Sequence, residues 1–473
     1  MAIREALSWL QDHSYHNVQI LSDCAVLVAN FRDASSYRSY LGLPNLKILH
    51  LRDNSFNNSI FSSLKQFPSL RFLDLSANDA IKGSLQVNEL LALTKLEELD
   101  LSETGVDNFI TTKGIVNVSS HLQVLHLDGL DKSTSNYSKL LQSLTVFPSL
   151  NTLYFQHNVI AETHYLKNLS KLENLILDGS PHDKNVFSSI GGLKYLKVIS
   201  LSGCGLSGSL PNKGWCELKN LQEFRLSNNE FNGVLPPCLG NLTSLRLIDL
   251  SSNQFSGNIA TSALSRLTSL EALTIPNNHF QIPISFDSFS NHSNLKSIFA
   301  ANNEVILETS FKNPTTPSYK LEFLSLSNCV GQYPRLPSFL LHQNELRIID
   351  LSSNNVGGDF PAWLLENNTK LEGFYLGGNA FKGNLKFPQK PNFHLTTVNI
   401  SENNICGQIP ENINVAFPNM EALTMSWNNL VGSLPSSFGD LNSLRYLDLS
   451  NNNLTGELPQ KLATNCHSLI YTF

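Results

Sequence analysis

Residues 44–54 read Pro-Asn-Leu-Lys-Ile-Leu-His-Leu-Arg-Asp-Asn. Leucines stand at Leu46, Leu49 and Leu51 and an asparagine at Asn54, a spacing of LxxLxLxxN. The spacing returns at Leu70–Asn78, Leu221–Asn229, Leu245–Asn253, Leu346–Asn354, Leu371–Asn379 and Leu444–Asn452. Weaker copies fill the intervals. Seventeen complete copies run from residue 43 to 465 at intervals of 22 to 28 residues, and an eighteenth begins near Cys466.

The LxL pair suits a short strand, with both leucines pointing inward and the residue between them outward. One such unit is too small to bury its own apolar face, so neighbours must stack into a continuous core. The interval lies within the period of leucine-rich repeats. The expected fold is an α/β-type leucine-rich repeat solenoid. It is a curved right-handed coil of about 17 repeats, with a parallel sheet on its concave face. Strands are expected at residues 48–52, 224–226, 248–250, 349–351 and 447–449. Residues 36–473 read as the array and residues 1–35 as a non-repeat segment.

Composition agrees with an array. The 473 residues carry a net charge of −6, which argues against a generic phosphate-backbone binder with a basic face. Asparagine is abundant at 53 residues, although it disfavours helix and strand interiors. The repeat explains the excess. The ninth position is Asn54, Asn78, Asn158, Asn229, Asn253, Asn278, Asn303, Asn354, Asn379, Asn403, Asn428 and Asn452 in twelve repeats. An inward amide both donates and accepts, and can satisfy backbone groups where the chain leaves the strand. Cys204 and Cys329 hold the same position and read as reduced structural residues. Thr104, Leu130 and Ser180 interrupt the ladder, so the sheet is expected to be less regular between residues 93 and 190.

The second half of many repeats reads LxGxIP: Leu206 to Pro211, Phe231 to Pro236, Ile405 to Pro410, Leu430 to Pro435 and Leu454 to Pro459. With this motif the chain resembles the plant-type repeats of receptor-like proteins and receptor kinases. The stretches Gly214-Trp-Cys-Glu-Leu-Lys-Asn-Leu and Leu235-Pro-Pro-Cys-Leu-Gly-Asn-Leu resemble the kinase-less receptor-like proteins more closely. The resemblance covers residues ~40–473. It implies a ligand-sensing ectodomain at the plasma membrane, in defence or development, with a peptide, glycan or protein ligand and a co-receptor. The family's paired-cysteine cap, island, C-terminal cap, transmembrane helix and kinase motifs are not seen in this chain. There is no run of 18 apolar residues. Arg4 and Glu5 stand where a signal peptide needs an apolar core. Read literally, those features fit an intracellular interaction protein, the alternative reading.

The first residues are not repeat-like. Ile3, Ala6, Leu7 and Leu10 share one helical face, and residues 17–24 read as a strand ending on an acid. This order resembles a truncated piece of a plant RNase H-like domain. Only Asp23 matches one of that family's carboxylates, and one carboxylate cannot hold a two-metal site. No nuclease activity and no nucleic-acid partner are expected.

Outward strand positions are free to vary, so departures from small polar residues mark ligand contacts. His126, Asp128, Tyr154, Gln156, His157 and Asp178 cluster in the fourth to sixth repeats. Phe299, Phe323, Tyr375 and Trp427 place aromatic rings outward on later strands, and aromatics are enriched at interface hot spots. No nucleophile–base pair, phosphate loop, metal-ligand spacing or cofactor motif is found, so the reading is a binder and not an enzyme. Of the seven cysteines, Cys216 and Cys238 sit just before adjacent repeats, where stacking brings them together as a disulfide pair in an oxidising compartment. Nine sequons, at Asn57, Asn117, Asn136, Asn168, Asn241, Asn291, Asn367, Asn399 and Asn453, become glycosylation candidates under the receptor reading.

Overall fold

The computed structural model describes residues 19–21 and 46–472, apart from 112–120, 132–136, 161, 182–184, 308–315, 332–334 and 467–468. The readings of Asp23, Asn117 and Asn136 lie outside these residues. The chain divides into two compact units, Met1–Ser207 with Pro211–Asn229 and Gly208–Leu210 with Glu230–Phe473. Each is an α/β leucine-rich repeat stack.

In the first unit eight repeat strands pair in parallel, residue against residue. They are Ile48–His50, Phe72–Asp74, Glu98–Asp100, Val124–His126, Thr152–Tyr154, Asn174–Ile176, Val198–Ser200 and Glu223–Arg225. Gln19–Leu21 adds a further parallel strand against Ile48–His50. The second unit repeats the arrangement with nine strands from Leu247–Asp249 to Tyr446–Asp448, and Tyr471–Thr472 pairs beyond them.

The strands begin one residue earlier than the LxL pair suggests, at 223, 247, 348 and 446 rather than 224, 248, 349 and 447. The first leucine of each pair is the strand centre, and the second lies just past its end. Leu51 is fully buried there. The parallel bonding still continues: Leu51 N–H donates to Asp74 O at 2.8 Å and Asp53 N–H to Ser76 O at 3.0 Å. The chain then turns out of the sheet through the eighth position, which has positive φ in all seventeen repeats, from Asp53 (56°) to Asn451 (55°).

The ladder asparagine closes this turn. The Asn78 amide donates to Leu75 O (2.9 Å) and Ser76 O (3.1 Å) in its own repeat and to Leu51 O (3.0 Å) in the repeat before. Its oxygen accepts the Phe56 N–H at 3.0 Å. Asn229, Asn278, Asn303, Asn354, Asn379, Asn403, Asn428 and Asn452 each likewise donate to the preceding repeat. The loss of regularity expected between residues 93 and 190 is absent from the sheet, whose register does not shift there. Smaller hydroxyls take over part of the bonding: Thr104 Oγ1 donates to Leu101 O (2.6 Å) and Ser180 Oγ to Phe155 O (3.0 Å). Leu130 is simply buried.

The LxGxIP halves build further parallel sheets that the leucine spacing alone does not reveal. In the second unit one includes Glu230–Val234, Gln254–Asn258, His279–Pro283 and Glu304–Ile306. Another joins Gly357–Asp359, Ala380–Asn384, Asn404–Gln408, Asn429–Gly432 and Asn453–Leu454. The motif's glycine supplies the bend. Gly407 has φ +83°, and a Cβ there would meet Asn384 Oδ1 at 2.8 Å.

Cys216 and Cys238 are disulfide-bonded, and Cys204, Cys329, Cys406 and Cys466 are free. Cys204 Sγ lies 3.2 Å from Leu177 O, and burial pushes its thiol up to about 12. That thiol stays protonated at neutral pH and is inert.

Residues at the C-terminal side pack lightly. The helix Gln460–Asn465 buries none of its residues, and Leu458 and Ile470 are 80% and 69% exposed. Amide exchange over residues 460–472 is therefore expected to be much faster than over 272–325, where strands have neighbours on both sides. Equal protection in a monomer would refute this.

Candidate functional site

Each strand offers its first and third residues to one face of the sheet, in most strands half-exposed on either side of a buried centre. The pattern recurs in Ile48–His50, Glu98–Asp100, Val124–His126 and Phe323–Ser325. Two groups of side chains on these faces are held by one another.

The first group is in the first unit. His126 and Tyr154 are third residues of adjacent paired strands. Their rings stack at 4.3 Å with a 2° interplanar angle. His126 Nε2 lies 2.8 Å from Glu98 Oε1 on the next strand. Glu98 did not stand out in the sequence, and only the register places it there. Beyond the strand ends, the Gln156 N–H donates to Asp128 Oδ1 at 2.6 Å and the Gln156 amide reaches Asp128 Oδ2 at 3.4 Å. Asp178 accepts from Ser200 Oγ–H at 2.6 Å and from the Ser202 N–H at 2.8 Å.

His157 is not on a strand. It occupies the outward turn at φ +57°. Its ring lies over Gly179, where a Cβ would come within 2.2 Å of Nδ1. Glycine is needed at 179 both for that approach and for its own φ of +66°. The structure therefore gathers all six residues onto neighbouring repeats. His50 and Asp74, in contact at 3.2 Å beside Phe72, form a smaller pair of the same kind that the sequence reading passed over.

Burial raises the Asp128 carboxyl above its ordinary value of 3.8. The Gln156 N–H and His126 pull against that rise, and Asp100 adds to it. A folded-state pKa above the unfolded one means that the stabilising contribution is complete below ~4 and is lost as pH rises through the folded value. The ionised carboxylate thus costs stability at pH 7. Asp128→Asn keeps the oxygen that accepts the Gln156 N–H. It should melt above the parent at pH 7, with the difference gone at pH 3; a lower melting point at pH 7 would refute the argument.

The second group is in the second unit. Phe299 and Phe323 stand on adjacent strands with rings 6.4 Å apart, and the Arg347 guanidinium lies 5.3 Å over Phe323. Arg347 is held in turn by Glu372 at 2.7 Å. Tyr375 does not join this cluster. Its ring lies over Gly373 of its own strand, where a Cβ would meet Cε2 at 2.7 Å. Trp427 is also apart and, contrary to its reading as a strand residue, sits in the outward turn at φ +54° and 61% exposed. Among the described residues no group of three or more His, Cys, Asp or Glu could hold a metal ion.

A leucine-rich repeat region model matches residues 132–358 and a leucine rich repeat model matches residues 393–454. The chain is 44% identical over 376 residues to Cuscuta receptor 1 of Solanum lycopersicum, covering 79% of this chain and 33% of that protein. It is 34% identical over 396 residues to Receptor-like protein 1 of Arabidopsis thaliana, covering 78% of this chain and 36% of that protein. The chain belongs to the plant leucine-rich repeat receptor-like proteins. It spans about a third of the length of these two relatives.

Among solved structures, the Arabidopsis receptor kinase HAESA, crystallised with the peptide hormone IDA and the co-receptor SERK1, is similar at a TM-score of 0.71 and 26% identity. That match covers 95% of this chain and 74% of the crystallised HAESA chain. The PEPR1–AtPEP1 structure is similar at a TM-score of 0.58 and 25% identity, covering 91% and 65%. No helix among the described residues is long and apolar enough to cross a membrane.

Proposed function

We propose that this chain is the ligand-recognition part of a plant cell-surface receptor-like protein and binds a peptide or protein ligand on its sheet face. The observation that carries the reading is the stacked, hydrogen-bonded Glu98–His126–Tyr154 cluster. Its rings and the Glu98 carboxylate are fixed by neighbouring outward residues and not by the core. Such preorganisation lowers the entropy cost of binding. The Phe299–Phe323–Arg347 cluster offers a second, more apolar contact of hot-spot composition. The family supports the same role, since HAESA was crystallised with a peptide hormone and a co-receptor. A co-receptor joining the ligand-bound sheet face would complete the signal.

A calorimetric screen of the secreted chain against synthetic peptides of the secreted plant type tests the reading. A true ligand should lose most of its affinity to Tyr154→Ala or Phe323→Ala and none to Tyr195→Ala, an exposed residue outside both clusters. A ligand indifferent to the two sheet-face changes would overturn it.

A further inference from the structure

The nine sequons are about as many as this composition produces by chance, so their number carries no information. Their placement does. Asn168, Asn241, Asn291 and Asn367 each stand four residues before the first leucine of a repeat, namely Leu172, Leu245, Leu295 and Leu371. Three of them end short helical turns, Thr163–Asn168, Pro237–Asn241 and Ala362–Asn367. Asn291 follows the turn Asp287–Phe289 by two residues. All four are exposed, and no side-chain hydrogen bond within the described residues engages any of their amides.

Asn399 is different. It is the third residue of the strand Thr397–Asn399, paired in parallel on both sides. Its oxygen accepts the Ser401 N–H at 3.0 Å and the Ser401 hydroxyl at 2.6 Å. Its nitrogen packs so near Gly377 that a Cβ there would lie 3.2 Å from it. A sugar on this nitrogen would have to rise from the middle of the sheet face, over Gly377 and beside Tyr375.

We propose that Asn168, Asn241, Asn291 and Asn367 carry N-linked glycans and that Asn399 does not, so that sugar sits on the helical side of each unit and leaves the sheet face bare. The proposal rests on the receptor reading only in that the chain must meet the glycosylation machinery. In the transfer, the asparagine Nδ2 bonds to the anomeric carbon of an oligosaccharide carried on a lipid pyrophosphate. The carbon–oxygen bond to the pyrophosphate breaks, the amide gives up one proton, and the lipid pyrophosphate leaves. The product is bulky and polar, which the exposed turns accommodate and the paired strand does not.

The experiment expresses the full chain behind a secretory leader in plant cells. Glycopeptides are then opened with a peptide-N-glycosidase in ¹⁸O-water, and each sequon is read by mass. Labelled aspartate is expected at positions 168, 241, 291 and 367, with unmodified asparagine at 399. The intact mass should fall by one glycan in each of Asn168→Gln, Asn241→Gln, Asn291→Gln and Asn367→Gln, and should not change in Asn399→Gln. Occupancy at 399 matching the other four, or an absence of sugar at those four, would overturn the proposal. Because the leader is supplied, such a failure leaves the ligand reading standing. Glycans in the expected places on a chain that binds no peptide would sink only the latter.

Discussion

Replacing Asn303 with leucine should open the second unit locally and cost about 3–4 kcal/mol, because it strands buried donors and acceptors at ~1–3 kcal/mol each. Asn303 is 3% exposed. Its amide donates to Ile275 O (3.0 Å), Ala300 O (3.0 Å) and Ala301 O (3.2 Å), and its oxygen accepts the Phe280 N–H at 2.9 Å. Leucine has the same branching and number of side-chain heavy atoms but can do none of this, and its methyl groups are bulkier. Asn303→Asp should be similarly damaging, since it keeps the acceptor for Phe280 but turns a second oxygen toward three carbonyls. Cys329 holds the corresponding ladder position in the next repeat with only long contacts, 3.6 Å to Ala300 O and 3.7 Å to Ser327 O. Cys329→Ala should therefore cost below ~1 kcal/mol. Stacked repeats do not unfold as one two-state unit, so the readout is amide exchange at Phe280 together with denaturant melting. Equal losses in Asn303→Leu and Cys329→Ala would show that the amide ladder is not what holds the turns.

Trp215→Ala should cost about 3–5 kcal/mol, the range for emptying a large buried aromatic site. Trp215 is fully buried, stacks on Phe224 at 4.7 Å and 20°, and contacts Phe187 at 6.2 Å. Its indole N–H also donates to Pro211 O at 2.8 Å. Trp215→Phe separates the two contributions. It refills most of the space but forfeits the bond, and should cost about 1–2 kcal/mol. If the phenylalanine variant were as unstable as the alanine one, the hydrogen bond and not the packing would dominate, and the proposed ranking would fail.

What the sequence makes legible follows from what repeats. The leucines at 49, 73, 99 and 125 each occupy a strand centre because the same burial demand recurs every turn of the coil. The ladder asparagines are readable for the same reason. Position eight is harder to read. Asp53, Ala77, Glu103, His157, Asn228 and Trp427 share no chemistry, yet all adopt positive φ, because the turn is imposed by bonds on either side of it. Its frequent Gly and Asn were the available signal. The site was half legible. Tyr154 and His126 could be flagged as unusual outward residues, but their stacking depends on pairing across an interval of 28 residues. Glu98 looks like any surface acid until the register sets it beside His126. Trp427 and Tyr375 show the opposite error: an aromatic at a plausible position need not share a surface with others.

The ladder also has a direction. Asn78 completes the bonding around Leu51 and Phe56, Asn303 that around Ile275 and Phe280, and Asn452 that around Met425 and Leu430. In each case the residue that finishes a repeat is made 22 to 28 residues after the groups it serves. A repeat leaving the ribosome therefore carries open amides and carbonyls until the following repeat has emerged. Folding during synthesis must trail translation by one full unit, advancing in steps toward the C-terminus. A ribosome that stalls anywhere within the array leaves its newest repeat unfinished, and that repeat is the surface a chaperone or a neighbouring nascent chain would meet first.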